Sequence, residues 1–503
     1  MEASVNSGAT PSSSSTYFKH GKNAAEMEQH THSQDLPREF FQTKPSSIRV
    51  LVDDGIAAKQ WKVDPSLVYQ ECDHVRLSSA ANMAEVHQKV EQVQSYLNSL
   101  GIFKEATTVI DRGEGEDDID VIFHLRPIKP HYSFGANVNG KGQTTAEFNF
   151  DIPCINGSCT SAKCTAKTPT WRILEGYETQ ASLFTKRLFG VRNLNASLDL
   201  NSSVNDLKPY SSYDEMSKSV NLNLGLGPHN LSLEAYNLRD VVLAMGQAST
   251  AMQMSRLRSI KTGCRYTWTH RTPGGFFAKW STEVAGLTGD VNLAKGDACV
   301  SKTWSFTMPP LGLFEDEKPS LWHFTAMAAA GHAAPLDSRP LCIQDRFFLG
   351  GSNGFVNTIC KGFGFRRFGP CDARPAGSGT ASSPTTTSRR GSSGGASSSS
   401  SQAPQYDYLG GDTYSNFAVS LSRDIPLREQ QVGRVFAFAQ AASLGNGLEQ
   451  TVTKPENYRV STGFGVGFPF FPGCEFQISG CFPLQFKPTD VRESLQFGLR
   501  FQG

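Results

Sequence analysis

Three groups of residues in this 503-residue sequence have the types for chemistry. Cys154, Cys159 and Cys164 form a thiol cluster with gaps of four residues and no histidine beside it. Zinc ligands come as close Cys pairs completed by a second pair or by histidines, so the cluster reads as reduced thiols in a loop. The eleven cysteines are an odd count with no framework spacing. Glu116, Asp117, Asp118 and Asp120 form an acidic run without the ligand spacing of a calcium loop; it reads as a solvated hairpin turn. His30 and His32 sit in a Ser-rich tail, and His270 and His332 read as surface or loop residues. There is no H-E-x-x-H and no phosphate-cradling G-x-x-x-x-G-K-[ST]. The expectation is no metal, no cofactor and no enzyme.

What stands out is a stretch rich in glycine and aromatics, from Asp345 to Asp412. It opens Asp345-Arg346-Phe347-Phe348-Leu349-Gly350-Gly351 and continues to Lys361-Gly362-Phe363-Gly364-Phe365. It closes on a second Leu-Gly-Gly, Leu409-Gly410-Gly411. Glycine permits positive φ and close backbone approach. Phe347, Phe348, Phe363, Phe365 and Phe368 carry apolar area that must be buried, so the loop is expected to fold back onto something.

The elements around it read as two regions behind a tail. Residues 1–45 are Ser-, His- and Glu-rich and are expected to be disordered. Residues 46–130 read as a small α/β domain. Strands are expected at Ile48–Val52, Glu105–Ile110 and Ile119–Leu125. Asn82 is placed to cap a helix with one apolar stripe of Met83, Val86, Val90, Val93, Leu97 and Leu100, stopped by Gly101. From His131 onward period two takes over. Leu194, Ala196, Leu198 and Leu200 alternate with Asn195, Ser197 and Asp199; Val220, Leu222, Leu224 and Leu226 alternate with Asn221, Asn223 and Gly225. Phe417, Val419 and Leu421 do so with Ala418, Ser420 and Ser422, and Val460, Thr462, Phe464, Val466 and Phe468 with Ser461, Gly463, Gly465 and Gly467. Phe476 and Ile478 alternate with Glu475, Gln477 and Ser479, and Leu495, Phe497, Leu499 and Phe501 with Gln496, Gly498 and Arg500. The polar face is mostly Gly, Ser, Asn and Gln, as in a wet lumen.

Bulk composition agrees. Charge is balanced, with 48 basic and 47 acidic residues, so no nucleic-acid partner is expected. Mean hydropathy is −0.34, and no apolar run is long enough for a transmembrane helix. Barrel strands need no such run. Residues 376–404 form a Ser/Gly/Ala-rich insert expected to be disordered and dispensable. The rest of 131–503 is long enough for many membrane strands, each of which needs about 9–11 residues.

The stretch Asp345 to Gly351 resembles the sixth-loop motif D-R-F-Y/F-L-G-G of outer-membrane insertases that join POTRA domains to a β-barrel. Within them it is most similar to the mitochondrial sorting-and-assembly branch. Lys361-Gly362-Phe363 stands where that family has R-G-F/Y, and Lys lacks the planar fork of Arg. The resemblance implies a mainly β protein: a sixteen-stranded transmembrane β-barrel with one N-terminal POTRA-like domain, its loop tip folded into the lumen.

It further implies insertion of unfolded β-barrel precursors into the mitochondrial outer membrane, without a cofactor, together with membrane lipid and accessory subunits. The lack of an apolar segment at the start reads the same way, as an organelle barrel reached from the cytosol. The gate is expected between the first strand region, 132–138, and the last, 494–502. Gln496, Gly498, Leu499 and Phe501 belong to that closing strand, and the run 496–503 partly matches the mitochondrial signal polar-x-Gly-x-x-apolar-x-apolar. Its last position is Gly503. Parity assigns two acids to the lumen near the loop, Glu475 first and Asp424 second, as charge partners for Lys361. A protein-conducting or solute pore, including a plastid-type translocase, is the alternative, and a soluble β-rich binding protein the third class.

Overall fold

The computed structural model describes residues 45–501 apart from 46, 54–63, 114, 116–117, 139–143, 156–158, 170–176, 209, 245, 309–319, 352–357, 376–405, 429–430 and 472–473. The expected tail (all but Pro45) and the insert at 376–404 lie outside the described residues. The chain divides into two compact units. One comprises residues 1–132 with 150–163 and 183–189; the other holds the remainder.

In the first unit, β1 (Ser47–Asp53), β2 (Phe103–Arg112) and β3 (Asp118–Pro127) form a sheet in the order β1-β3-β2. β1 runs parallel to β3 and β2 antiparallel to it. Helices α1 (Ser66–His74) and α2 (Met83–Ser99) belong to the same unit. Asn82 caps α2 by accepting from the Glu85 N–H at 2.9 Å, and the Glu85 carboxylate returns to the Ala81 N–H at 2.8 Å. Gly101 follows at φ +65°. The stripe Met83, Val86, Val90, Val93 and Leu97 is buried against Val121, Phe123 and Leu125, so helical and strand periodicities meet in one core. Of the acidic run, Asp120 pairs with Arg49 at 2.7 Å and Asp118 accepts from Ser47; Glu116 and Asp117 are outside the described residues. Cys154 is buried and Cys164 exposed, while Cys159 packs against the helix–sheet core of its own unit.

The larger sheet has sixteen strands. It begins with β4 (His131–Val138), β5 (Thr144–Ile152), β6 (Thr160–Pro169), β7 (Tyr177–Thr185), β8 (Leu194–Asp206) and β9 (Tyr213–Leu226). It continues with β10 (His229–Leu243), β11 (Arg258–Arg271), β12 (Phe276–Ala285), β13 (Leu293–Met308) and β14 (Ser320–Pro335). After the long loop, whose own two-stranded ribbon is β15 (Cys371–Ala373) and β16 (Tyr406–Tyr408), come the last five. These are β17 (Thr413–Arg428), β18 (Gln431–Gly445), β19 (Tyr458–Phe471), β20 (Cys474–Gln485) and β21 (Leu495–Phe501). Each strand neighbours the next in sequence, except that β14 pairs with β17. β4 and β21 stand at the two ends of the order.

Alternation fixes the faces. Leu198, Leu200, Phe417, Val419, Leu421, Phe464, Leu495 and Phe497 are exposed, which leaves an apolar outer surface. Their neighbours Asn416, Ser461, Ser479 and Gln496 are buried on the opposite face. β18 reverses the pattern: Phe436 and Phe438 are buried inside, while Ala437 and Ala439 face out. Gly463 and Gly465 of β19 make room for them, because a Cβ there would lie 2.7 Å from Phe438 and 2.5 Å from Phe436.

Candidate functional site: the folded-in loop

The long loop between β14 and β17 is held at two places on the inner face. Its base is ionic. The Asp345 carboxylate accepts from both terminal nitrogens of Arg239 on β10, at 2.7 and 2.9 Å, and from Lys261 Nζ on β11 at 2.9 Å. Lys261 also contacts Glu283 on β12, which accepts from Arg265. Lys295 on β13 donates to the Asp345 carbonyl at 2.8 Å, and its ammonium lies 4.3 Å from the centre of the Phe347 ring. The Arg239 and Asp345 side chains are 4% and 1% exposed, so this is a buried, forked, charge-assisted pair. Strands β10, β11 and β13 thus reach the first residue of the motif directly, and β12 joins them through Lys261.

The two Leu-Gly-Gly triplets meet beside it. Phe347 and Gly411 exchange backbone hydrogen bonds at 2.8 and 3.0 Å, and Phe347 packs on Tyr414 with centroids 4.7 Å apart. Leu349 is buried in the same cluster. Arg346 turns away from the ion cluster and reaches the Leu409 carbonyl at 3.4 Å. Gly350 sits at φ +118°, and a Cβ there would be 2.3 Å from the Gly364 carbonyl; only glycine fits.

The tip is held mainly by amides and hydroxyls, and Arg366 also pairs with Glu215 on β9 at 3.2 Å. Gln440 on β18 accepts from the Lys361 N–H at 3.1 Å and donates to the Ile359 carbonyl, which Asn416 on β17 also reaches at 3.0 Å. Ser461 on β19 donates to the Lys361 carbonyl at 2.6 Å. Gln496 on β21 accepts from the Gly362 N–H at 3.0 Å and donates to the Phe363 carbonyl at 2.9 Å. Gly362 is at φ +89°, the left-handed turn that aims both groups at Gln496. Phe363 is fully buried against Phe368. The outer half of the loop is tied by Asp407, which accepts from Ser212, the Ser249 N–H and Arg374. Burial alone pushes that carboxyl up, but these donors hold it below the usual carboxylate range.

Lys361 faces the inner wall. Its ammonium lies 4.3 Å from the Phe436 ring centre and 5.1 Å from that of Phe438, a cation–π geometry, with Gln477 and Ser479 oxygens at 3.4 Å. Of the acids expected to pair with it, Asp424 is engaged elsewhere: it accepts from Arg434 at 3.1 Å and lies 3.1 Å from His323. The physical reason is register, since Arg434 stands directly opposite Asp424 on the neighbouring strand. The Glu475 side chain lies outside the described residues, as do those of Leu499 and Phe501. Gly498 is buried and paired with Gln477.

The fold has a counterpart among known proteins. Residues 132–501, from β4 to the end of β21, match the Omp85 superfamily domain. The chain belongs to the Omp85 superfamily. It is similar to the sorting and assembly machinery component 50 homologs of Mus musculus (24% identical over 460 residues, 85% of each chain) and Homo sapiens (23%, 85% of each). The homolog of Bos taurus is 22% identical over 497 residues, 92% of each chain. Among solved structures, BamA from Haemophilus ducreyi lacking POTRA domains 1–3 superposes with a TM-score of 0.64 at 14% identity, covering 90% of this chain and 83% of that one. The sixteen-stranded sheet is therefore the β-barrel of an Omp85 protein, and the N-terminal unit has the strand and helix order expected of a POTRA-like domain.

Within this Omp85 barrel, sequence reading missed the ion cluster of Arg239, Lys261, Glu283, Arg265 and Lys295. Each lies on the inward parity of its strand, but β11 to β13 show no clean alternation to set that parity, and Arg239 is 106 residues from Asp345. It also missed that Gln496, read as part of an assembly signal, clamps the loop tip.

Proposed function

We propose that this protein inserts β-barrel precursors into the mitochondrial outer membrane, with β4 and β21 as its gate. The observation that carries the reading is the end position of these two strands in an Omp85 sheet, in a chain similar to sorting and assembly machinery components. An open strand edge in lipid leaves backbone groups that cost several kcal/mol each when unsatisfied. An unfolded client strand satisfies them by adding to that edge. Client folding supplies the free energy, so the reaction needs no nucleotide. The N-terminal unit receives or releases clients, accessory subunits assist, and lipid receives the product. The closing strand, with Gln496, Gly498 and Phe501 at signal positions, serves in the chain's own assembly.

The test is reconstitution of the full chain in liposomes, with a urea-unfolded mitochondrial β-barrel precursor added. At least tenfold more protease-protected, heat-modifiable client than in empty liposomes is expected. Ion conductance with client insertion at the empty-liposome level would instead establish a pore.

A further inference from the structure

The segment leading into β21 is joined to the loop tip along its whole length. The Gly364 N–H donates to the Val491 carbonyl at 2.9 Å, the Val491 N–H to the Arg367 carbonyl at 3.0 Å, and the Glu493 N–H to the Gly362 carbonyl at 3.0 Å. Phe363 and Arg492 form an isolated antiparallel bridge. The Gln496 amide, 3% exposed, closes this ladder from within the strand. It bonds Gly362 and Phe363 while its nitrogen also donates to Glu493 at 2.9 Å. The tip therefore pairs with residues 491–493 as a short extra strand, and Gln496 carries that pairing into β21. The base rests elsewhere, its Asp345 cluster on β10 to β13, far from β21 in strand order, while the tip's further anchors are Gln440 on β18, Ser461 on β19 and an Arg366–Glu215 ion pair to β9 at 3.2 Å.

From this asymmetry we infer that the loop tip is a latch on the last strand and that Gln496 is its positioning residue. Displacement of β21 by a client breaks the hydrogen bonds that join 362–367 to 491–496, while the ionic base stays docked. Loosening of the tip at 362–367 therefore accompanies client entry, with Asp345 as the fixed point of the loop. The latch deepens the proposed insertase role and rests on that reading for its trigger, though not for its existence.

Hydrogen exchange on the full chain in nanodiscs tests both parts. With an unfolded β-barrel precursor arrested during insertion, peptides covering 358–367 and 490–496 are expected to exchange at least tenfold faster. Peptides covering 345–350 and 409–414 are expected to be unchanged. Inserted client with a fully protected tip overturns the latch and leaves the insertase reading intact. Without client, Gln496→Leu is expected to raise exchange at 358–367 at least tenfold, while Glu493→Gln, which keeps an acceptor for the Gln496 amide, leaves it within twofold. Unchanged exchange in Gln496→Leu overturns the latch whether or not any client is inserted. If Gln496→Leu does not yield a heat-modifiable barrel, Gln496→Asn, too short to span to the tip, is read in its place with the same criteria.

Discussion

Asp345→Ala is expected to destabilise the docked loop by about 3–5 kcal/mol, the usual result of removing one partner from a buried ion pair. The size follows from what is left behind. Arg239 loses both of its forked contacts, and Lys261 keeps Glu283 but loses the carboxylate 2.9 Å away. Two cations are then left side by side at a buried site. Urea unfolding of the detergent-solubilised barrel, with loop release followed by proteolysis between 345 and 412, measures it. Arg239→Ala is expected to cost somewhat less, because Lys261 still neutralises Asp345. Wild-type stability in Asp345→Ala would show that the base is held by Phe347 and Leu349 packing instead.

Lys361→Glu is expected to cost a similar amount, about 3–5 kcal/mol, as an unpaired carboxylate is driven against the wall. Phe436 and Phe438 present ring faces to this position, and π density that attracts an ammonium repels a carboxylate. Lys361→Met separates charge from bulk: it keeps the unbranched stem and loses the ammonium's contacts to Gln477 and Ser479 together with the cation–π contribution, the latter about 0.5–2 kcal/mol. The double change Lys361→Glu/Glu475→Lys is expected to restore part of the loss, because Glu475 stands two residues along β20 from Gln477, which Lys361 already reaches. Client insertion rates and loop proteolysis report both variants. Equal behaviour of Lys361→Glu and Lys361→Met would contradict the ring contact.

How much of this was legible beforehand depends on how local each signal is. Asn82, the stripe from Met83 to Leu97 and the alternation of Ile119 to Leu125 act within one or two turns, and they appear in place. The outer faces of β8, β17, β19 and β21 also follow from alternation. β18 does not, because Phe436 and Phe438 line the inside while alanines line the outside; hydrophobicity alone assigns that strand to the wrong face. The motif from Asp345 to Gly351 marked the loop, and Gly350 shows why the pattern is strict. Its partners could not be read, because Arg239, Lys261 and Gln496 are brought to it only by barrel closure and strand register. Asp424 shows the same limit from the other side: parity offered it as a partner for Lys361, but the residue opposite it on β18 is Arg434.

The most direct measurement of the central claim is site-specific photocrosslinking from β4 and β21 to a β-barrel precursor arrested during import. Probes at Phe134 and Phe497, both exposed, are expected to capture the client, with yields that fall once it is released. A probe at Phe417, on the outer face of β17 far from either end strand, is expected to capture none. Capture of equal yield at all three positions, or at Phe417 alone, would contradict insertion through the β4–β21 gate.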